Sequence, residues 1–212
     1  MRRIVFLLVL AIGFASQVRS EEPKLPEGFV ALFNGKDLKG MKTHAGPLES
    51  WGVENGILFT TGKGGGWLMS EEQYKDFELI VEYKVPKVGN SGIALRSPLQ
   101  GDPAYTGMEI QLLDDPNYKG LKEWQHTGSI YGVVPSKDPK PNPPGEWNTM
   151  HIVAKGRQIK VILNEKVLVD ANLDEHKSEA KTHPGILREE GHVGVQNHGN
   201  RVEFKRIWVK KL

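Results

Sequence analysis

The sequence contains no cysteine. That excludes disulfides, thiolate metal sites and a cysteine nucleophile, so the fold must be held by its packed core. It also lacks an excess of either charge. Lys+Arg 28 against Asp+Glu 26 leaves +2 at pH 7, and a near-neutral chain offers no electrostatic footprint for nucleic acid or an anionic membrane. Internal repeats and long helical patterns are missing as well. What is abundant is punctuation: Gly 24 and Pro 13, with 25% charged residues, describe a turn-rich globular chain rather than a disordered one.

The N-terminus reads as a secretory leader over residues 1–20. Arg2 and Arg3 precede an uncharged, mostly apolar run from Ile4 to Ser16, and Val18-Arg19-Ser20 supplies small residues for cleavage before Glu21. The run is short of the roughly 20 apolar residues that a spanning helix needs. Without cysteine no lipid can be attached at the cleavage point. The expected product is secreted or periplasmic, with no membrane anchor. Residues 21–28 read as a short polar arm interrupted by Pro23 and Pro26. Residues 29–212 read as one domain, long enough to bury about 70% of its unfolded surface.

From Phe29 onward the hydrophobic period is two. In DFELIVEYKV, Phe77, Leu79, Val81, Tyr83 and Val85 alternate with Glu78, Glu82 and Lys84, the mark of a half-buried strand. Met108, Ile110 and Leu112 alternate with Glu109 and Gln111. Strands are expected over 147–155, 158–163, 166–173, 191–196 and 202–209. Gly156-Arg157 and Asn164-Glu165 stand where hairpin turns belong, and Asn197-His198-Gly199-Asn200 reads as a further hairpin turn. The proline-rich segment 137–145 is expected to be a surface loop, and 174–188 to hold one helical turn at most. Many short strands between turn residues predict an all-β sandwich or barrel.

Four stretches carry a resemblance. They are FVALFNGKDLKG at 29–40, GNSGIALR at 89–96, GMEIQLLDD at 107–115 and GHVGVQNHGNRVEFKRIWV at 191–209. In that order and spacing the chain resembles the 3-keto-disaccharide hydrolase domain family. The resemblance implies a concanavalin A-like jelly-roll sandwich of two antiparallel sheets. It further implies a glycoside whose C3 is already a ketone, supplied by an upstream sugar dehydrogenase. The ketone acidifies C2–H; a base removes that proton, the oxygen on C1 is expelled, and water adds to the unsaturated sugar. Such chemistry needs one base near C2 and a polarising group at the enolate oxygen. Ordinary glycosidases instead need two carboxylates flanking the bond.

Strand alternation nominates the residues. Glu109 and Gln111 share a face opposite Met108, Ile110 and Leu112. His192, Gln196 and His198 share another, and Arg96 should follow Gly92 and Ala94 on a third, where small residues leave space for a sugar. The catalytic candidates are Glu109 as base, Arg96 beside the ketone, and His198 and His126 as further acids or bases. Gln111, Asp114, Glu82, Tyr131, Gln196 and Trp67 are candidate substrate contacts, with Trp124 a further ring for stacking. Each has a plainer reading: a solvated carboxylate, a turn residue, a core aromatic, or, for Arg96, an ion pair with Glu82 or Glu109. No cofactor is certain. Glu109, Asp114, His126 and His198 could gather a divalent cation, although no tight spacing such as H-x-x-x-H supports one. The rival to an enzyme is a non-catalytic, lectin-like carbohydrate-binding module on the same sandwich. The ionisable set favours the enzyme, since a binding module needs aromatics and amides but no base.

Overall fold

The structure is a computed structural model that describes residues 24–212; the leader expected over 1–20 and the start of the expected arm lie outside them. Two antiparallel sheets face each other. The larger runs β11 (Lys166–Asn172), β10 (Gln158–Leu163), β9 (Asn148–Lys155), β6 (Phe77–Lys84), β13 (Glu203–Lys211), β4 (Ile57–Thr60), β3 (Trp51–Glu54), with β1 (Val30–Ala31) also paired to β13. The smaller runs β2 (Met41–His44), β5 (Gly66–Ser70), β12 (His192–Asn197), β7 (Asn90–Ser97), β8 (Met108–Leu113). This is the expected all-β jelly-roll sandwich.

Alternation does the folding work in the larger sheet. Along β6 buried and half-buried residues alternate strictly, so Phe77, Leu79, Val81 and Tyr83 enter the core. Met150, Ile152 and Ala154 of β9 and Ile159, Val161 and Leu163 of β10 do the same. Opposite them stand Leu68, Ile93, Ile110, Leu112, Val193 and Val195 from the smaller sheet. Each such side chain, fully buried, contributes roughly 1.5–3 kcal/mol. Two of the three expected hairpins form, β9–β10 and β10–β11. Asn164 and Glu165 have φ of 45° and 71°, the left-handed pair that a tight β10–β11 turn requires.

The smaller sheet is different, and the difference locates the site. Every residue of β8 and β12 is buried, so its outer face is covered as well as its inner one. One cover is the 98–107 segment, with the short helix α1 (Pro103–Thr106) capped by Asp102, whose side chain accepts from Ala104 N. The other is the 126–134 segment, laid along the edge of β8. There Tyr131 N donates to Glu109 O at 2.9 Å and Gln111 N donates to Ser129 O at 3.1 Å.

Two local expectations are corrected. The 197–200 turn is no hairpin, because β12 and β13 belong to different sheets; it carries the chain from one layer to the other. The 174–188 segment holds more than one helical turn. It contains 3-10 segments at Leu173–Lys181 and Pro184–Leu187, the first kinked at His176. Asn172 caps the first, accepting from Asp174 N, and Pro184 opens the second. No helix among the described residues is long and apolar enough to cross a membrane.

Candidate active site

Cross-strand register builds the site. Ala94 lies opposite Glu109, Gly92 opposite Gln111, and Gly194 opposite Ala94. These pairs share the outer face of the smaller sheet, and their small members leave a depression. A Cβ placed on Gly92 would lie 2.6 Å from Glu109 Cδ and closer still to Oε1. The Glu109 carboxyl therefore occupies the space that a side chain at position 92 would fill. The depression opens into a cleft of about 190 Å³. From the strands it is lined by Asn90, Glu109, Gln111 and Gln196, with His198 at the exposed rim. From the covering segments come Asp102, Tyr105 and Tyr131, and from the 114–125 stretch between them come Tyr118 and Gln125.

The electrostatics are one-sided. Glu109 is only 4% exposed. Burial pushes its pKa up to about 8, and Asp102 adds to the rise, with no hydrogen bond or cation to offset it. Burial, then Tyr131, Asp102 and Glu109, also raise the Tyr105 phenol. Among the described residues neither lysine nor arginine lines the cleft. Gln111 Nε2 donates to Asn90 Oδ1 at 2.9 Å, which orients both amides. Gln196 Oε1 is buried without a protein partner. Such an arrangement can hold a neutral polyol through amides and remove a proton with a desolvated carboxylate.

The model of a family described as 3-keto-alpha-glucoside-1,2-lyase-like domain matches residues 28–210. The chain belongs to that family. A relative from Bacteroides thetaiotaomicron, named 3-keto-disaccharide hydrolase, is 27% identical, with 96% of this chain and 87% of the relative covered. The crystal structure of a Parabacteroides distasonis protein, provisionally assigned as a glycosyl hydrolase, superposes with a TM-score of 0.76 at 29% identity. That match covers 88% of this chain and 94% of the other. The carbohydrate-binding module CBM66 from Bacillus subtilis shares the fold, with a TM-score of 0.57 at 15% identity over 81% of this chain and 96% of the module.

In this member of the 3-keto-alpha-glucoside-1,2-lyase-like family the cleft brings together Glu109, Gln111, Gln196, Tyr131 and His198. Six other nominated residues are elsewhere, among them Trp124, which stacks on Tyr131 at 6.4 Å and lines a separate pocket. Arg96 is the main correction. β7 gains a residue relative to β12, since Ser97 faces His192 and Ala94 faces Gly194. That bulge puts Arg96 at φ 48° and turns its side chain off the Gly92–Ala94 face. The guanidinium is wholly buried between the sheets, donating to Lys75 O at 2.9 Å, Gly156 O at 2.7 Å and Asp76 Oδ1 at 3.4 Å. Glu82 is on the outer face of the other sheet, paired with Arg206. Asp114 accepts from Val88 N and Asn117 Nδ2, each at 2.7 Å, and lines a separate cavity under the proline-rich loop. His126 leans on Asp115 at 3.8 Å, outside the cleft.

Trp67 does share a face with Gln196, its register partner. It is 3% exposed beneath Leu99, Ala104 and Met69 and does not reach the cleft. His192 lies four strand positions from Gln196, roughly 13 Å at about 3.3 Å per residue. Its Nδ1 is held against Ser70 O. Glu109, Asp114, His126 and His198 do not gather, and no group of three acidic, His or Cys residues among the described residues is placed to hold a metal ion. Sequence reasoning missed Asn90, Asp102, Tyr105, Tyr118 and Gln125. Asn90 was within reach, since it precedes Gly92 and Ala94 in the same alternation. Asp102 and Tyr105 come from an irregular segment with no periodicity to read.

Proposed function

We propose that the chain cleaves the glycosidic bond of 3-keto-glycosides by elimination and hydration, with Glu109 as the base at C2. The observation that carries this reading is a buried carboxylate, with no hydrogen bond or cation offsetting its burial among the described residues, seated over Gly92 in a cleft whose other polar lining is amides, tyrosines, Asp102 and His198. A carbon acid needs a strong base. Burial raises Glu109 far above an ordinary carboxylate, so the fraction that ionises is correspondingly basic. Asn90, Gln111 and Gln196 hold the sugar hydroxyls and the ketone oxygen in place of the arginine that the alternation had nominated. His198 stands at the rim. The leader reading puts this reaction outside the cytoplasm.

The test follows 3-keto-trehalose in deuterated water by NMR, comparing the mature protein with Glu109→Gln. Expected are glucose release and deuterium entry at C2, both slowed about 10²–10⁴-fold in the variant, the usual contribution of a general base. The wild-type rate should climb with pH through about 8, where Glu109 ionises. Neither release nor exchange from several 3-keto-glycosides, with and without added divalent metal, would turn the reading to a sugar-binding module.

A further inference from the structure

Elimination leaves a second proton unaccounted for. As the C1–O bond breaks, a sugar leaving group departs as an alkoxide unless an acid meets it. The cleft has few groups free to do so. Tyr118 Oη already donates to Val88 O at 3.1 Å, and Gln111 Nε2 is committed to Asn90. His198 is exposed at the rim, on a turn continued by Gly199 at φ 97°, with no hydrogen bond or ion pair to its ring among the described residues. Two phenols remain, those of Tyr131 and Tyr105, and the more exposed to an incoming substrate is Tyr105. Its ring stacks on His183 at 5.0 Å and 25°, and meets the edge of Tyr131 at 6.5 Å and 89°. The residue remains 42% exposed. Gly132, at φ 70°, makes this bracket possible, because a Cβ there would overlap the His183 ring.

We infer that Tyr105, held by His183 and Tyr131 in the wall of the Glu109 cleft, is the acid that protonates the departing glycosidic oxygen. The inference rests on the eliminating role given to this cleft above. Burial, with smaller contributions from Tyr131, Asp102 and Glu109, raises the proton affinity of the phenol, which agrees with a hydroxyl in the Glu109 cleft that stays protonated until it is used.

The protons balance. Glu109 takes hydrogen from C2, and the C–H electron pair forms the enolate. The enolate then collapses to the C1=C2 double bond and the restored ketone as the C1–O bond breaks. The leaving oxygen keeps that electron pair and takes the Tyr105 proton. In hydration the Tyr105 phenolate deprotonates water, the hydroxide adds to C1, and Glu109 returns its proton to C2. Both residues end as they began, and the net change is addition of one water.

Tyr105→Phe and Tyr131→Phe would be compared with wild type on two substrates, 3-keto-trehalose and p-nitrophenyl 3-keto-glucoside. Nitrophenolate leaves without a proton, whereas a sugar alkoxide does not. For Tyr105→Phe, glucose release should fall about 10²-fold or more, nitrophenol release should stay within about threefold of wild type, and C2 exchange should persist. The unsaturated sugar should accumulate from the nitrophenyl substrate, since hydration loses its base. Tyr131→Phe should show no dependence on the leaving group. Equal losses on both substrates, or no loss on either, would overturn the assignment to Tyr105. Absence of C2 exchange in the wild type would instead overturn the reading of the cleft itself, so the two failures are distinguishable.

Discussion

Glu109 and Gly92 act as a unit, one supplying the carboxyl and the other the space it needs. Gly92 sits in an ordinary strand without a positive φ, so its lack of a side chain matters for volume and not for backbone freedom. Gly92→Ala should therefore fold but push the carboxyl out of its seat. The expected result is a loss of at least about 10²-fold in C2 exchange, as for removing a general base, with a stability change of about 1–3 kcal/mol from overpacking. Exchange kinetics and urea unfolding on the same preparation would check both. Alanine with unchanged exchange would mean that the carboxyl works from another position.

At the level of elements, β7 does two jobs along its length. Its first half, Asn90 to Ala94, keeps register with β8 and lays out the cleft floor. Its end bulges against β12 and sends Arg96 between the layers, to the start of β6 and the β9–β10 turn. The strain of a non-glycine residue at positive φ is offset by a buried guanidinium with three partners. Arg96→Met should lower the urea midpoint, costing about 3 kcal/mol, because a backbone carbonyl pair and Asp76 lose their donor. The folded fraction should keep its turnover. An arginine polarising the substrate ketone would give the reverse, a stable but inactive variant.

Across the whole molecule the cost of burying Glu109 should be visible as a pH dependence of stability. Burial pushes the folded Glu109 pKa up to about 8, against an unperturbed value of 4.5 in the unfolded chain. Between those values the folded protein retains a proton that the unfolded chain has released, so stability falls as pH rises through that window. Glu109→Gln removes the penalty. Its Tm should match wild type near pH 4.5 and exceed it by at least about 3 °C above pH 8, given roughly 2–4 °C per kcal/mol at this size. Parallel Tm curves across that range would show that the carboxyl is solvated in solution. The Lys–Asp pairs on the outer surface, such as Lys160 with Asp170, contribute little to such a curve because solvent screens them.

The sequence by itself determined the sandwich, because period-two alternation leaves each strand one way to bury its apolar face, and β6 and β8–β10 follow it residue by residue. It also determined that Glu109, Gln111 and Gln196 face away from the core, since register within a strand is a local property. The tertiary structure decided what local pattern cannot carry. A bulge one residue long removed Arg96 from the face its spacing assigned. Sheet membership put Glu82 on a different surface from Glu109, although both alternate correctly. Asp102 and Tyr105 reach the cleft only because an irregular segment folds back over the smaller sheet. A strand's faces are set by its own residues; which faces meet is set by the packing of segments far apart in the chain.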